Sequence, residues 1–142
     1  MATISLLLTL PLLVLANYDY LLFVTEWPPT DYLMSSCARG YEYEGFNIHG
    51  LWPTNIDGTR PQYCSTTQFS VPASSEADMN EHWRSYSGNY VTFWTHEWER
   101  HGTCVADGET PDEFFPKVLE LRAQYDPLTQ LASKGIAPSS TT

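Results

Sequence analysis

Basic residues are scarce in this chain. Its 7 Lys and Arg stand against 17 Asp and Glu, giving a formal net charge of -10 and a pI near 4.6. Such a balance excludes the broad basic face that holds duplex DNA, because the surface would repel the phosphates, but it leaves room for a small local nucleic-acid site. Charged residues make up only 17%, while 42% are hydrophobic and 14% aromatic, which excludes global disorder and allows a packed core. Cysteine is rare too, and with three in the chain at least one lacks a partner within the molecule. The 142 residues are one domain's worth of length, without repeats or low-complexity blocks.

One long apolar run is present, at the start. Ile4 to Leu15 is almost wholly apolar, and Met1 to Ala16 carries no charged side chain. The run is short for a bilayer, and Val14-Leu15-Ala16 offers small residues that suit a signal peptidase, although no Lys or Arg precedes it. It reads as a signal peptide over residues 1–16, with the folded domain at 17–142; a core segment at a truncated N-terminus is the alternative.

The rest alternates between strand and helix signals. Tyr18 to Val24 is rich in aromatic and β-branched residues and stops at Trp27-Pro28-Pro29, as a buried strand does. Phe46 to His49 predicts a second strand that ends at Gly50, with Phe46 and Ile48 on one face and Asn47 and His49 on the other. Pro53 to Pro72 is polar and reads as a surface loop. Helices are expected from Ser75 to Trp83 and from Phe93 to His101, the latter closed by Gly102. Thr110-Pro111-Asp112-Glu113 has capping-box spacing and starts a third, in which Pro116 predicts a kink or a late start. Asp126-Pro127 starts a last short helix that Gly135 ends, and Ser139 to Thr142 reads as a frayed tail. Strands early and helices late favour an α+β fold.

Of the histidines, His82 has no partner in sequence and reads as structural. His96 and His101 lie in Thr95-His96-Glu97-Trp98-Glu99-Arg100-His101, where Glu97 and His101, and likewise His96 and Arg100, are four apart and share a helix face. A carboxylate beside His101 would raise its pKa, orient the ring and stabilise the imidazolium formed on taking a proton. Arg100 with His96 suits a phosphate. The plain alternative is a solvated face with ordinary ion pairs. A zinc site of the His-Glu-x-x-His type fails on geometry, since His96 and His101 are five apart and so lie roughly 140° apart around a helix.

His49 adds a second imidazole at the expected strand end. Two imidazoles can cleave RNA: one takes the proton of the ribose 2′-OH, which attacks phosphorus, and the other protonates the leaving 5′-oxygen. DNA lacks that nucleophile. Trp52 and Phe93 offer stacking surfaces for bases without a basic surface.

Two stretches carry a family resemblance. Phe46-Asn47-Ile48-His49-Gly50-Leu51-Trp52-Pro53 and Phe93-Trp94-Thr95-His96-Glu97-Trp98-Glu99-Arg100-His101-Gly102-Thr103-Cys104 resemble the two active-site motifs of the ribonuclease T2 family, in the right order. Weaker echoes at Tyr18 to Pro28, Pro61 to Cys64, Trp83 and Gly135-Ile136-Ala137-Pro138 extend the resemblance over nearly all of the mature chain.

The resemblance implies an α+β fold, an antiparallel sheet with helices packed beside it. It also implies a secreted or vacuolar and lysosomal endoribonuclease for single-stranded RNA that needs no metal or other cofactor. It makes His49, Glu97 and His101 the catalytic set, with His101 the base and His49 the acid, exchanging roles when the 2′,3′-cyclic phosphate is hydrolysed. His96 and Arg100 would hold the phosphate, Trp52 and Phe93 the bases, and Cys64 and Cys104 a disulfide, with Cys37 left free. A monomer without membrane anchoring is expected. The chain departs from the family with Arg100 in place of lysine, Thr54 where an acidic or amide group often stands, Arg84 after Trp83, and a shorter C-terminal part. A catalytically impaired relative that binds RNA or a partner is therefore the alternative function.

Overall fold

The computed structural model of the chain describes residues 17–28, 45–86, 88–105 and 110–138. The stretch expected to be a signal peptide, Cys37 and the expected tail from Ser139 lie outside the described residues. Strands Tyr20–Glu26 (β1) and Asn47–Thr54 (β2) pair antiparallel, from Tyr20 opposite Thr54 to Glu26 opposite Asn47. Four helices follow among the described residues: Glu76–His82 (α1), Tyr90–Arg100 (α2), Pro111–Gln124 (α3) and Pro127–Ala132 (α4). A 3-10 turn over Gly102–Cys104 separates α2 from α3. The architecture is α+β, an antiparallel sheet with helices beside it, as expected.

Several boundaries differ from expectation. β2 does not end at Gly50 but runs on to Thr54, so His49 lies inside the strand. Pro53 is tolerated because β2 pairs, among the described residues, with β1 alone. Helix α2 starts at Tyr90 rather than Phe93, because the Asn89 side chain accepts from Thr92 N–H at 2.9 Å and caps it there. Helix α3 starts at Pro111 and runs through Pro116. Glu113 accepts from Thr110 N–H at 3.0 Å, closing the capping box, and the carbonyl that Pro116 deprives of a donor belongs to the exposed Asp112.

The register shifts once. Val24 faces Gly50 but Thr25 faces Ile48, so His49 is an extra residue bulged out of the ladder. A bulge turns neighbouring side chains to a common side. His49 and Trp52, three apart, accordingly meet edge to face at 5.1 Å, which regular alternation would forbid.

The core is aromatic. Trp83, Trp94, Trp98, Phe114 and Phe115 are buried with Ile48, Met79 and Val118. Each buried indole N–H finds a carbonyl: Trp83 donates to His49 O at 2.9 Å, Trp94 to Trp83 O at 2.7 Å and Trp98 to Thr67 O at 2.8 Å. The Trp83 bond ties the bulge to α1. The buried Asn47 amide donates to Arg84 O at 2.9 Å and accepts from Arg84 N–H at 2.7 Å. Gly102 is needed for packing rather than for a left-handed turn, since a Cβ there would sit 2.5 Å from the Trp98 ring.

Candidate active site

The bulge of β2 and the C-terminal half of α2 face one another. His49 Nδ1 is hydrogen-bonded to the carboxylate of Glu26, at the end of β1, and its Nε2 lies 3.7 Å from Glu97 Oε1. Glu97 projects from α2 and is 2% exposed. Its Oε2 accepts from Trp52 Nε1 at 3.0 Å, so a single carboxylate bridges the indole and the imidazole. Gly50 makes the room: a Cβ there would overlap the Glu97 carboxylate and the indole nitrogen. Burial pushes the Glu97 carboxyl above its usual range, against the opposing pull of the Trp52 hydrogen bond and then of His49.

His101 reaches the same site from the end of α2. Its ring lies 5.2 Å from Trp52, with 31° between the planes, and the residue is 5% exposed. The expected pairing of Glu97 with His101 is not what the structure forms. His101 is the C-cap, with φ -120° and ψ -47°, so its backbone has left the helical path on which a spacing of four brings side chains together. Glu97 turns to Trp52 and His49, while Nδ1 of His101 is buried without a hydrogen-bond partner among the described residues. The His101 pKa is accordingly lowered to about 4, by burial first and then by Arg100, His96, His49 and Arg60. The expectation of a raised value is thereby corrected.

The other expected residues surround this pair. Phe93 meets the His49 ring edge to face at 5.5 Å. His96 is exposed and Arg100 half-buried, and both add positive charge toward His101. Thr54 is turned inward, its hydroxyl donating to Trp52 O at 3.0 Å. His82 stays apart, 3.7 Å from Glu81. Cys64 and Cys104 form a disulfide that fastens the loop after β2 beside His101. The same loop donates Tyr63 N–H to Arg100 O at 3.1 Å and Cys64 N–H to Thr103 Oγ1 at 3.1 Å.

Sequence reasoning missed Glu26 and Arg60. Glu26 is 23 residues from His49, and only the register of β1 on β2 brings them together. Arg60 lies in the polar loop, yet its guanidinium carbon stands 5.4 Å from the Trp52 ring centroid.

An α+β protein in which two imidazoles from different elements meet at one indole, with carboxylates on one side and cations on the other, has the layout of a general acid–base site. Comparison with known proteins gives the family. The family model described as "Ribonuclease T2 family" matches residues 18–142, and the chain belongs to that family. It is 36% identical to ribonuclease DdI of Dictyostelium discoideum over 129 residues, 88% of this chain and 58% of that protein. It is 38% identical to extracellular ribonuclease LE of Solanum lycopersicum over 133 residues, 86% of this chain and 58% of that protein. Ribonuclease MC1 from bitter gourd seeds superposes with a TM-score of 0.75 at 29% identity, covering 86% of this chain and 66% of that one. The chain thus spans 58% of the length of each of these two curated relatives.

Proposed function

We propose that the chain is an endoribonuclease that cleaves single-stranded RNA by metal-independent acid–base catalysis with two histidines. The observation that carries this reading is the meeting of His49 and His101 at Trp52, 5.1 and 5.2 Å from its ring, in opposite electrostatic surroundings. His101, with its pKa near 4, is neutral and free to accept a proton over most of the pH range. It takes the proton of the ribose 2′-OH, whose oxygen attacks phosphorus. His49, with Glu26 and Glu97 as counter-charges, carries the proton delivered to the departing 5′-oxygen. The products are a 2′,3′-cyclic phosphate and a free 5′-OH. The two rings then exchange roles as water opens the cyclic phosphate.

Glu97 holds His49 and Trp52 in register, and His96 and Arg100 offset the charge on the pentacoordinate phosphorus. Trp52 and Phe93 stack bases, with DNA excluded for want of the 2′-OH. Support for nucleotide binding comes from a mutant of ribonuclease MC1 solved with 5′-GMP and from ribonuclease NT solved with 5′-AMP. The named relatives of Solanum lycopersicum include an extracellular and an intracellular ribonuclease, and we place this chain in the secretory route as a monomer. Among the described residues no helix is long and apolar enough to cross a membrane.

Cleavage of single-stranded RNA in EDTA tests the proposal, with His49→Ala and His101→Ala beside the parent chain. Ends bearing 2′,3′-cyclic phosphate are expected from the parent, and each variant should lose on the order of a thousandfold in rate. Cleavage that disappears with EDTA, or persists in both variants, would overturn it.

A further inference from the structure

We infer that Arg60 is the specificity-determining group of the base site at Trp52, and that it selects guanine. The inference rests on the reading of Trp52 as a base-stacking surface. Arg60 is exposed and makes no ion pair among the described residues, in a chain with 17 acidic side chains against 7 basic ones. Its guanidinium lies instead over the Trp52 ring, 5.4 Å from the centroid.

A locked turn delivers it there. Asn55 N–H donates to Thr59 O at 2.9 Å and Gly58 N–H to Asn55 O at 2.9 Å, with Gly58 at φ +85°, a conformation natural to glycine. Thr59 donates to the Asp57 carboxylate from both N–H and hydroxyl, at 2.9 and 2.7 Å.

Neighbouring polar side chains in the sequence are engaged elsewhere. Asn55 Nδ2 is spent on Thr59 Oγ1 at 2.9 Å, and the Thr54 hydroxyl on Trp52 O at 3.0 Å. The Glu97 carboxylate is buried beneath, on the indole nitrogen. Beside the His49 and His101 rings that already touch the indole, a base stacked on Trp52 meets in Arg60 a side chain that only donates. Guanine presents two adjacent acceptors, N7 and O6, which match the guanidinium fork. Adenine presents N7 beside the N6 amino group, which sets donor against donor. To admit the base, Arg60 has only to swing outward on its long exposed side chain.

Isothermal titration of the whole chain with 5′-GMP and with 5′-AMP tests this, in the parent, Arg60→Ala and Arg60→Lys, with Lys134→Ala as an exposed charge control. The parent should bind 5′-GMP roughly tenfold tighter than 5′-AMP, and Arg60→Ala should bring the two within about twofold. Arg60→Lys keeps the charge without the fork, so it should retain general attraction and lose the preference. Lys134→Ala should retain the preference. An undiminished 5′-GMP preference in Arg60→Ala, a parent that prefers 5′-AMP, or no binding of either nucleotide would overturn the inference. Binding needs no turnover, so an Arg60-dependent preference in a chain that fails to cut RNA would sink only the catalytic reading. Cleavage through His49 with a preference indifferent to Arg60 would sink only this one.

Discussion

His49 sits in a strand bulge, with the carboxylates of Glu26 and Glu97 beside it and its carbonyl tied to Trp83. His101 ends a helix, with Arg60, His96 and Arg100 acting on it and its Nδ1 without a hydrogen-bond partner among the described residues. Both rings touch the same indole, so the reversal of charge takes place within one small site. That reversal gives two side chains of one type different surroundings: carboxylates border the β2 ring, whereas burial and neighbouring cations lower the pKa of the α2 ring. The means of attachment differ as well. The sheet and a buried carboxylate hold His49, while a disulfide and two backbone donors from the loop hold the chain beside His101.

The largest effect should come from loosening the second side alone. Replacing Cys64 and Cys104 with alanine opens a link spanning 40 residues, a loss of about 4 kcal/mol by chain-entropy reasoning. Urea unfolding at neutral pH measures it. A loss under about 1 kcal/mol would mean that the Tyr63 and Thr103 hydrogen bonds restrain the loop nearly as well, since each is worth that order.

On the first side, Glu97→Gln preserves shape and an acceptor for Trp52 but removes the charge facing His49. Cleavage should fall roughly tenfold to a hundredfold, the range for losing a charged hydrogen-bonding partner. Glu26→Gln should cost less, because Glu26 is more exposed than Glu97 and better screened by water. Equal losses would mean that the carboxylates act as a pooled charge rather than through the buried bridge.

What could be read from the sequence follows the range of the interactions. The capping box at Thr110 and the helix from Glu76 to His82 were legible because each depends on neighbours within about one turn, while the two motifs were legible only as a family resemblance. The extension of β2 was not, since Gly50 and Pro53 look like strand breakers until Glu97 is seen to need the space over Gly50. The partner of Glu97 was misread for a related reason: spacing of four describes a helix, and His101 stands where the helix ends. Glu26 and Arg60 required a strand register and a loop path, neither of which leaves a spacing signal.

The smallest effect is a displacement in pH. A folded pKa of about 4 for His101, against 6.5 for the unperturbed ring, means that the folded chain binds fewer protons there than the unfolded chain. The stability supplied by the neutral ring is therefore complete above about pH 6.5 and lost as pH falls toward about 4. Glu97 works in the opposite sense, its raised pKa favouring the fold at low pH and less so as pH climbs through that value. The acid limb of kcat/KM should consequently lie near pH 4, where His101 takes up its proton. Burial is the largest cause of that position and Arg100 the next, so Arg100→Gln should move the limb upward toward the free-imidazole value. The height of the profile will fall as well if Arg100 holds the phosphate, which makes the position of the limb the decisive reading. Glu99→Gln, an exposed change on the same turn, should leave the limb in place. An unmoved limb in Arg100→Gln would remove Arg100 from the causes of the low His101 pKa, leaving burial and the remaining cations to set it.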